Sequence, residues 1–165
     1  TGSKLRKVPG SVCASCYALK GNYTRYPEIK RAQYVRLQAL KHPLWVDAMT
    51  AQVKRQKYFR WHDAGDVQDL NHLMKIFEVC KLTPDTRHWM PTREAWIKDH
   101  LNSKPDNLVI RFSPPMIGQR NDSWPNSSMV VTENATCPAP KQGGKCGSCR
   151  QCWDPEVKVV SYGKH

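Results

Sequence analysis

The chain has 165 residues, 39% of them hydrophobic, and sets 26 lysines and arginines against 14 aspartates and glutamates, a formal charge of +12. That length makes one domain, 1–165, with room for a real core. No run approaches the roughly 20 apolar residues of a membrane span, so no membrane contact is expected. The basic excess reads as a solvated surface or as a face for nucleic acid or another polyanion, although the charge is scattered and no nucleic-acid motif accompanies it.

Residues 1–12 read as a basic loop closed by Pro9-Gly10, without the apolar stretch of a secretion signal. Thr1 in place of an initiator Met leaves room for a segment upstream. Pro27-Glu28 opens a helix over 28–40, with Ile29, Ala32, Val35 or Leu37 and Leu40 at helical spacing. A second helix, from 43 to about 53, sets Leu44, Ala48 and Ala51 in an apolar stripe. Residues 58–61 form a short strand that ends in His62-Asp63-Ala64-Gly65-Asp66. The following helix, capped by Asp66 or Asp69, carries Leu70, Leu73, Met74, Phe77 and Leu82 and stops at Pro84-Asp85. A strand at 87–90, a helix at 93–101 opened by Thr92, and an almost continuously apolar strand at 107–112 come next. Strands at 128–132 and 157–161 close the chain.

Strand and helix alternating at roughly 20- to 30-residue spacing argue for right-handed βαβ units and a parallel sheet. A complete eightfold barrel takes about 250 residues. The expected fold is therefore α/β, an open, partial β/α barrel of four or five mainly parallel strands. The Pro/Gly-rich stretch 134–155 is its cysteine-rich metal-binding loop.

Seven cysteines fall as one pair (Cys13, Cys16), one alone (Cys80) and four within 137–152. Without a secretion signal this indicates a reducing compartment and metal ligation rather than a disulfide framework. The strongest signal is Cys137-Pro138 followed by Cys146, Cys149 and Cys152 and then Trp153. Three cysteines at two-residue separations make a compact loop able to cap three corners of a cubane. The fourth comes from a distance and precedes a proline, as in bacterial ferredoxins. Gly143, Gly144 and Gly147 supply the positive φ that wrapping a cluster requires. One [4Fe-4S] cluster on these four thiolates is expected. A Cys₄ zinc site (Zn2+) is the rival, although zinc knuckles usually come as two separated pairs.

Cys13 and Cys16 read as unligated thiols, as half of a second metal site, or as ligands lent to the first. Cys80, on an apolar helix face, reads as core. Gly65 and Asp66 lie where a parallel strand hands over to a helix, the end at which α/β sites assemble. There Gly65 frees the backbone for a ligand, and His62 and Asp63 offer acid–base groups. The plainer reading is a turn in which Asp66 caps the next helix. Arg87, Arg93 and Arg111, on or after strands, would hold an anion or, better, pair internally with Asp63 or Asp66. Trp61, Trp89 and Trp96 have core-like spacing, and Trp153 would shield the metal site.

Three motifs, SVCASCYALKG at 11–21, WHDAGD at 61–66 and CGSCRQCW at 146–153, resemble a phage- and plasmid-encoded family known as a numbered gene product. The resemblance spans most of the chain and implies a bacteriophage origin. The architecture is in turn similar to radical S-adenosylmethionine enzymes, which build a partial barrel over a three-cysteine cluster with one iron open to the cofactor. That similarity implies that Cys13 and Cys16 match the last two of those cysteines, and that Gly65 and Asp66 lie where the cofactor's amino group is held. No third cysteine lies in residues 1–12, so a third ligand would come from upstream or the chemistry has been lost. S-adenosylmethionine is not the expected cofactor, and the chain is not expected to be an enzyme.

The expectation carried forward is an iron–sulfur protein, cytoplasmic in the host or associated with the virion. Its cluster would serve electron transfer with a redox partner protein, redox sensing, or structure. Two alternatives stand beside it. One is a radical-type enzyme with a second cluster near Cys13 and Cys16; the other is a zinc-stapled nucleic-acid-binding module.

Overall fold

The structure is a computed structural model and describes residues 2–164. Five strands, β1 (Tyr58–Arg60), β2 (Arg87–Thr92), β3 (Leu108–Phe112), β4 (Ser127–Val131) and β5 (Val159–Gly163), form one sheet in chain order. Every neighbouring pair is parallel, and the sheet curls into an open half-barrel, as the sequence led one to expect. Because parallel neighbours need a crossover, each gap between strands holds a substantial connection. A helix (Leu70–Lys81) crosses from β1 to β2, and a 3₁₀ helix (Ala95–Ser103) from β2 to β3. Loop 113–126 crosses to β4, and the cysteine loop to β5.

Before the sheet come α1 (Gly2–Leu5), α2 (Asn22–Arg25), α3 (Pro27–Ala39) and α4 (Trp45–Val53), which makes the crossover helix α5. The helical turn α1 falls in the region read as a loop; Ser11 Oγ donates to Leu5 O at 2.7 Å and ties it down. In α4 the buried side is not the expected one. Trp45, Val46, Met49 and Val53 turn inward, while Leu44, Ala48 and Ala51 are exposed. The long side chains decide the phase, since Trp45 reaches the Trp61 ring at 6.4 Å and His72 at 5.7 Å.

Asp69, not Asp66, caps α5, accepting from His72 N at 2.7 Å. This helix buries Leu73, Ile76, Phe77 and Cys80 and leaves Leu70, Met74 and Leu82 exposed. The helix expected at 93–101 is a 3₁₀ helix that starts two residues later, because Thr92 Oγ1 and Arg93 N donate to Asp66 and Glu94 N donates to Thr92 Oγ1 at 3.0 Å.

Strand side chains alternate between faces. Met90, Leu108 and Ile110 join Leu73, Ile76 and Ile97 in the core on the helix side. Leu73, Ile76, Ile97 and Leu108 are fully buried, each worth about 1.5–3 kcal/mol of burial. Trp89 and Val160 point to the opposite face, where Cys152, Cys137, Trp153 and Tyr162 cover them. The N-terminal segment docks at the carboxyl ends of the strands. Val12 N donates to Pro115 O (2.8 Å), Ile117 N donates to Gly10 O (3.1 Å), and Ser11 bridges Met116 antiparallel.

Candidate metal centre

After β4 the chain turns back along the outer edge of β5. Cys137 N donates to Ser161 O at 2.9 Å, Thr136 N to Ser161 Oγ at 2.8 Å, and Ser161 N to Thr136 Oγ1 at 2.9 Å. These bonds cover an edge that would otherwise expose its amides and seat Cys137 against the second apolar cluster. Gly143, Gly144 and Gly147 hold positive φ of 63°, 78° and 55°. Cys149 N donates to Cys146 O at 3.0 Å, so the triplet begins as a tight turn. Arg150 fastens it, donating to Gly147 O and Cys149 O at 2.7 Å and lying 4.7 Å over the Tyr58 ring. Trp153 packs edge-on to Trp89 (5.3 Å) and Tyr58 (5.5 Å), and its Nε1 donates to Phe59 O at 3.0 Å.

Cys152 is the anchored thiol. It is 8% exposed, and its Sγ lies 3.0 Å from the Tyr162 hydroxyl. Burial pushes this thiol above its usual range; the Tyr162 bond and Arg111 pull it down, and the Cys137 and Cys146 sulfurs push it further up. The Cys137 and Cys146 sulfurs therefore each stand within electrostatic reach of Cys152. Cys149 is half-buried and Cys146 exposed. Among the described residues no three His, Cys, Asp or Glu side chains are drawn together closely enough to hold a metal ion. The donor set nonetheless suits a thiolate-bound group. Cys137 and Cys152 are fixed on the sheet, while residues 140–148 are exposed throughout. Bringing Cys146 onto a group held at Cys152 displaces no core side chain.

A second cluster forms at the carboxyl ends of the strands. Arg93 Nη1 donates to Cys13 Sγ at 2.9 Å and Nη2 reaches Ser113 Oγ at 3.4 Å. Asp66 accepts from Thr92 Oγ1 (2.7 Å), Arg93 N (2.7 Å) and Val67 N (2.8 Å), so it ties the end of β2 to the loop after β1. Burial raises its carboxyl above the usual range despite those three donors. Burial likewise raises the Cys13 thiol, opposed by Arg93 and assisted by Cys16. Gly65 sits at φ 91° with open space where a Cβ would stand, so conformation rather than crowding demands glycine there. His62 also has positive φ (56°), which is costly outside glycine. Among the described residues its buried Nε2 meets no hydrogen-bonding partner, and burial, then His72 and Arg60, lower its pKa to about 4. Asp63 accepts from the Tyr23 hydroxyl.

The chain belongs to the Gene product 88 family. That family's model matches residues 7–123, a stretch that includes Cys13, Cys16, Gly65, Asp66 and Arg93 and ends before Cys137. No curated protein and no solved structure matches the chain. Among the described residues, no helix is long and apolar enough to cross a membrane.

In this Gene product 88 chain the expected pairing of Arg111 with Asp63 or Asp66 does not occur. Arg111 is fully buried and donates to five backbone carbonyls. They are Cys152 O (3.0 Å), Gln151 O (2.7 Å), Asp154 O (2.8 Å), Val157 O (2.8 Å) and Ser127 O (3.4 Å). Among the described residues Arg93 also finds no acid for its side chain, which goes to Cys13, and Arg87 is exposed. Sequence reasoning missed Arg111 and Tyr162 as supports of the cysteine loop. The available signal was one arginine inside an otherwise apolar strand, since a buried guanidinium must fill every donor.

Proposed function

We propose that the chain is an iron–sulfur protein whose Cys137, Cys146, Cys149 and Cys152 hold one [4Fe-4S] cluster against the sheet. One observation carries the reading. Cys152 is buried on a floor of Trp89, Trp153 and Tyr162, with Cys137 packed beside it and the Cys146 sulfur in electrostatic reach. A bound cluster supplies one-electron redox chemistry or a covalent staple. The chain's own part is to clamp the loop through Arg111, cover it with Trp153 and offer the Tyr162 hydroxyl to a ligand sulfur. Electron transfer to a partner protein, redox sensing and structural stapling, inside the host cell or on the virion, all use this arrangement.

Anaerobically purified protein is expected to be brown, with about four irons and four sulfides per chain. Cys149→Ser should cripple assembly, and Cys80→Ala should not, because Cys80 is a fully buried core thiol whose pKa is pushed up to about 12 by burial. Stoichiometric zinc without labile sulfide, in protein from an iron-replete host, would sink the reading in favour of a zinc staple.

A second reading draws on the Arg93–Cys13 contact beside Asp66, within the stretch that the family model matches. It is a radical-type enzyme, with a second cluster at Cys13 and Cys16 and S-adenosylmethionine at Gly65 and Asp66. Two thiolates hold no cubane with an open corner, and among the described residues no third ligand joins them. The 165-residue chain, reduced, is therefore expected to release no 5′-deoxyadenosine beyond a Cys16→Ala control. Turnover above that control would place the enzyme reading first.

A further inference from the structure

Residues 20–41 carry six cations, Lys20, Arg25, Lys30, Arg31, Arg36 and Lys41, against one acid, Glu28. Three of them, Lys30, Arg31 and Arg36, lie on α3, a 13-residue helix that buries no residue, and the other three flank it. Isolated helices of this length are marginal in water, and most helical stability comes from a packed face. On α3 the inward side is thin: Ile29, Ala32 and Ala39 are only half-buried. The opposite side is more distinctive. Tyr26, Lys30, Tyr34 and Leu37 succeed one another by four, four and three residues and so share one stripe. All four are exposed, Tyr26 by 45%, Tyr34 by 63% and Leu37 by 43%. Arg31 flanks the stripe, whereas Glu28 lies on the far side of the helix.

We propose that this face of α3 docks single-stranded nucleic acid. Charge complementarity selects a polyanion, and the two tyrosines select one with flat bases to stack. Tyr26 and Tyr34 stand about 12 Å apart along the axis, the reach of a few nucleotides. Lys30 and Arg31 lie between them for the phosphates. Base–aromatic stacking needs no particular sequence, because every base offers a π-face. The stripe runs into a cleft of about 240 Å³ between α3 and the start of α5. Leu37 and Leu40 wall it beside the amides of Gln38, Gln68 and Asn71, room for one base next to donors and acceptors. The surface is independent of the metal centre and stands whether or not a cluster is bound.

Fluorescence anisotropy of a labelled 20-nucleotide single strand, DNA or RNA, titrated with the full chain between 50 and 200 mM salt, tests this. Binding should weaken steeply with salt. The Lys30→Glu/Arg31→Glu variant should bind at least tenfold more weakly, and its salt slope should fall by roughly 1.4, the share of two phosphates on a single strand. Tyr34→Ala should lose about fivefold or more at fixed salt without changing the slope. A charge-matched control, Lys81→Glu/Lys98→Glu, alters exposed lysines elsewhere and should lose far less. Melting temperatures check that each variant folds. Equal losses in the two double variants, an unaffected Tyr34→Ala, or a duplex bound as tightly as the single strand would each overturn the proposal. So would no oligonucleotide binding at 50 mM salt.

Discussion

The Tyr162 hydroxyl lies 3.0 Å from the Cys152 sulfur, on a side chain whose own ionisation is strongly disfavoured by burial. It stays a phenol and therefore donates to a thiolate. Hydrogen bonds to ligand sulfurs disperse the extra electron of a reduced cluster and raise its potential. Tyr162→Phe should keep the iron content and lower the midpoint potential, on the order of tens of millivolts, against about 59 mV per tenfold for a one-electron couple. An unchanged potential at unchanged iron would mean that the hydroxyl only packs. His88 makes a second case at this scale. It is fully buried; Trp61 Nε1 donates to its Nδ1 (3.2 Å), so its proton sits on Nε2, facing Thr83 Oγ1 at 2.9 Å. Protonating Nδ1 would set two donors face to face, and burial already lowers this pKa to about 4. With the folded value below the ordinary 6.5, the unfolded chain takes up a proton that the folded chain refuses. Stability is full above pH 6.5, falls through the window down to about pH 4, and is then level. His88's share of the drop from pH 7 to pH 5 is roughly 2 kcal/mol, beside that of His62, which titrates in the same window. His88→Gln should make that dependence markedly shallower in thermal melts, leaving the share of His62, and a variant that still tracks wild type would show that other groups set it.

Among the elements, the strands and α5 were readable because apolar runs and helical periodicity are local signals, and residues such as Ile76 and Leu108 have nowhere else to go. The phase of α4 was not. Leu44 looks like core, yet the chain spends that burial on Trp45 and Met49, and the reach of Trp45 to Trp61 depends on a strand that follows later. Nor was the clamp on the cysteine loop readable. Its acceptors are carbonyls, which composition does not mark, and they come from residues 16 to 46 positions away from Arg111. The cysteine spacing named the candidate ligands, while the way they are held comes from β3. Arg111→Lys tests the clamp. Lysine offers three donors without the planar fork, so about two of the five buried carbonyls lose their partner, at about 1–3 kcal/mol each. A destabilisation of about 2–6 kcal/mol is expected, with reduced iron retention. A stability change under about 0.5 kcal/mol would show that water replaces the fork.

At the scale of the whole molecule, the half-barrel closes its two faces by different means. Helices α4 and α5 and the 3₁₀ segment cover one face with apolar side chains. The other is covered by a loop whose segment 140–148 is exposed throughout and whose hold on the sheet runs through Cys137, Cys152, Trp153 and Arg111. The helix side therefore stands without the cysteine loop, on apolar burial and its own hydrogen bonds, while the other side and the β5 edge depend on the cysteine loop staying down. If the four thiolates hold a cluster, metal binding adds its free energy to that half of the protein only. Hydrogen exchange can separate the halves, because local opening is governed by the contacts of each unit. In protein stripped of metal by a chelator, the amides of Cys137 and Ser161, which join the loop to the outer edge of β5, should exchange at least tenfold faster than in loaded protein. Amides that pair β2 with β3 should keep their protection, since their partners lie inside the helix-covered core. Uniform loss across both sets would mean that the sheet unfolds as one unit when the metal leaves. Protection unchanged at Cys137 and Ser161 would mean that the edge bonds hold by themselves and that the metal, where bound, contributes nothing to the fold.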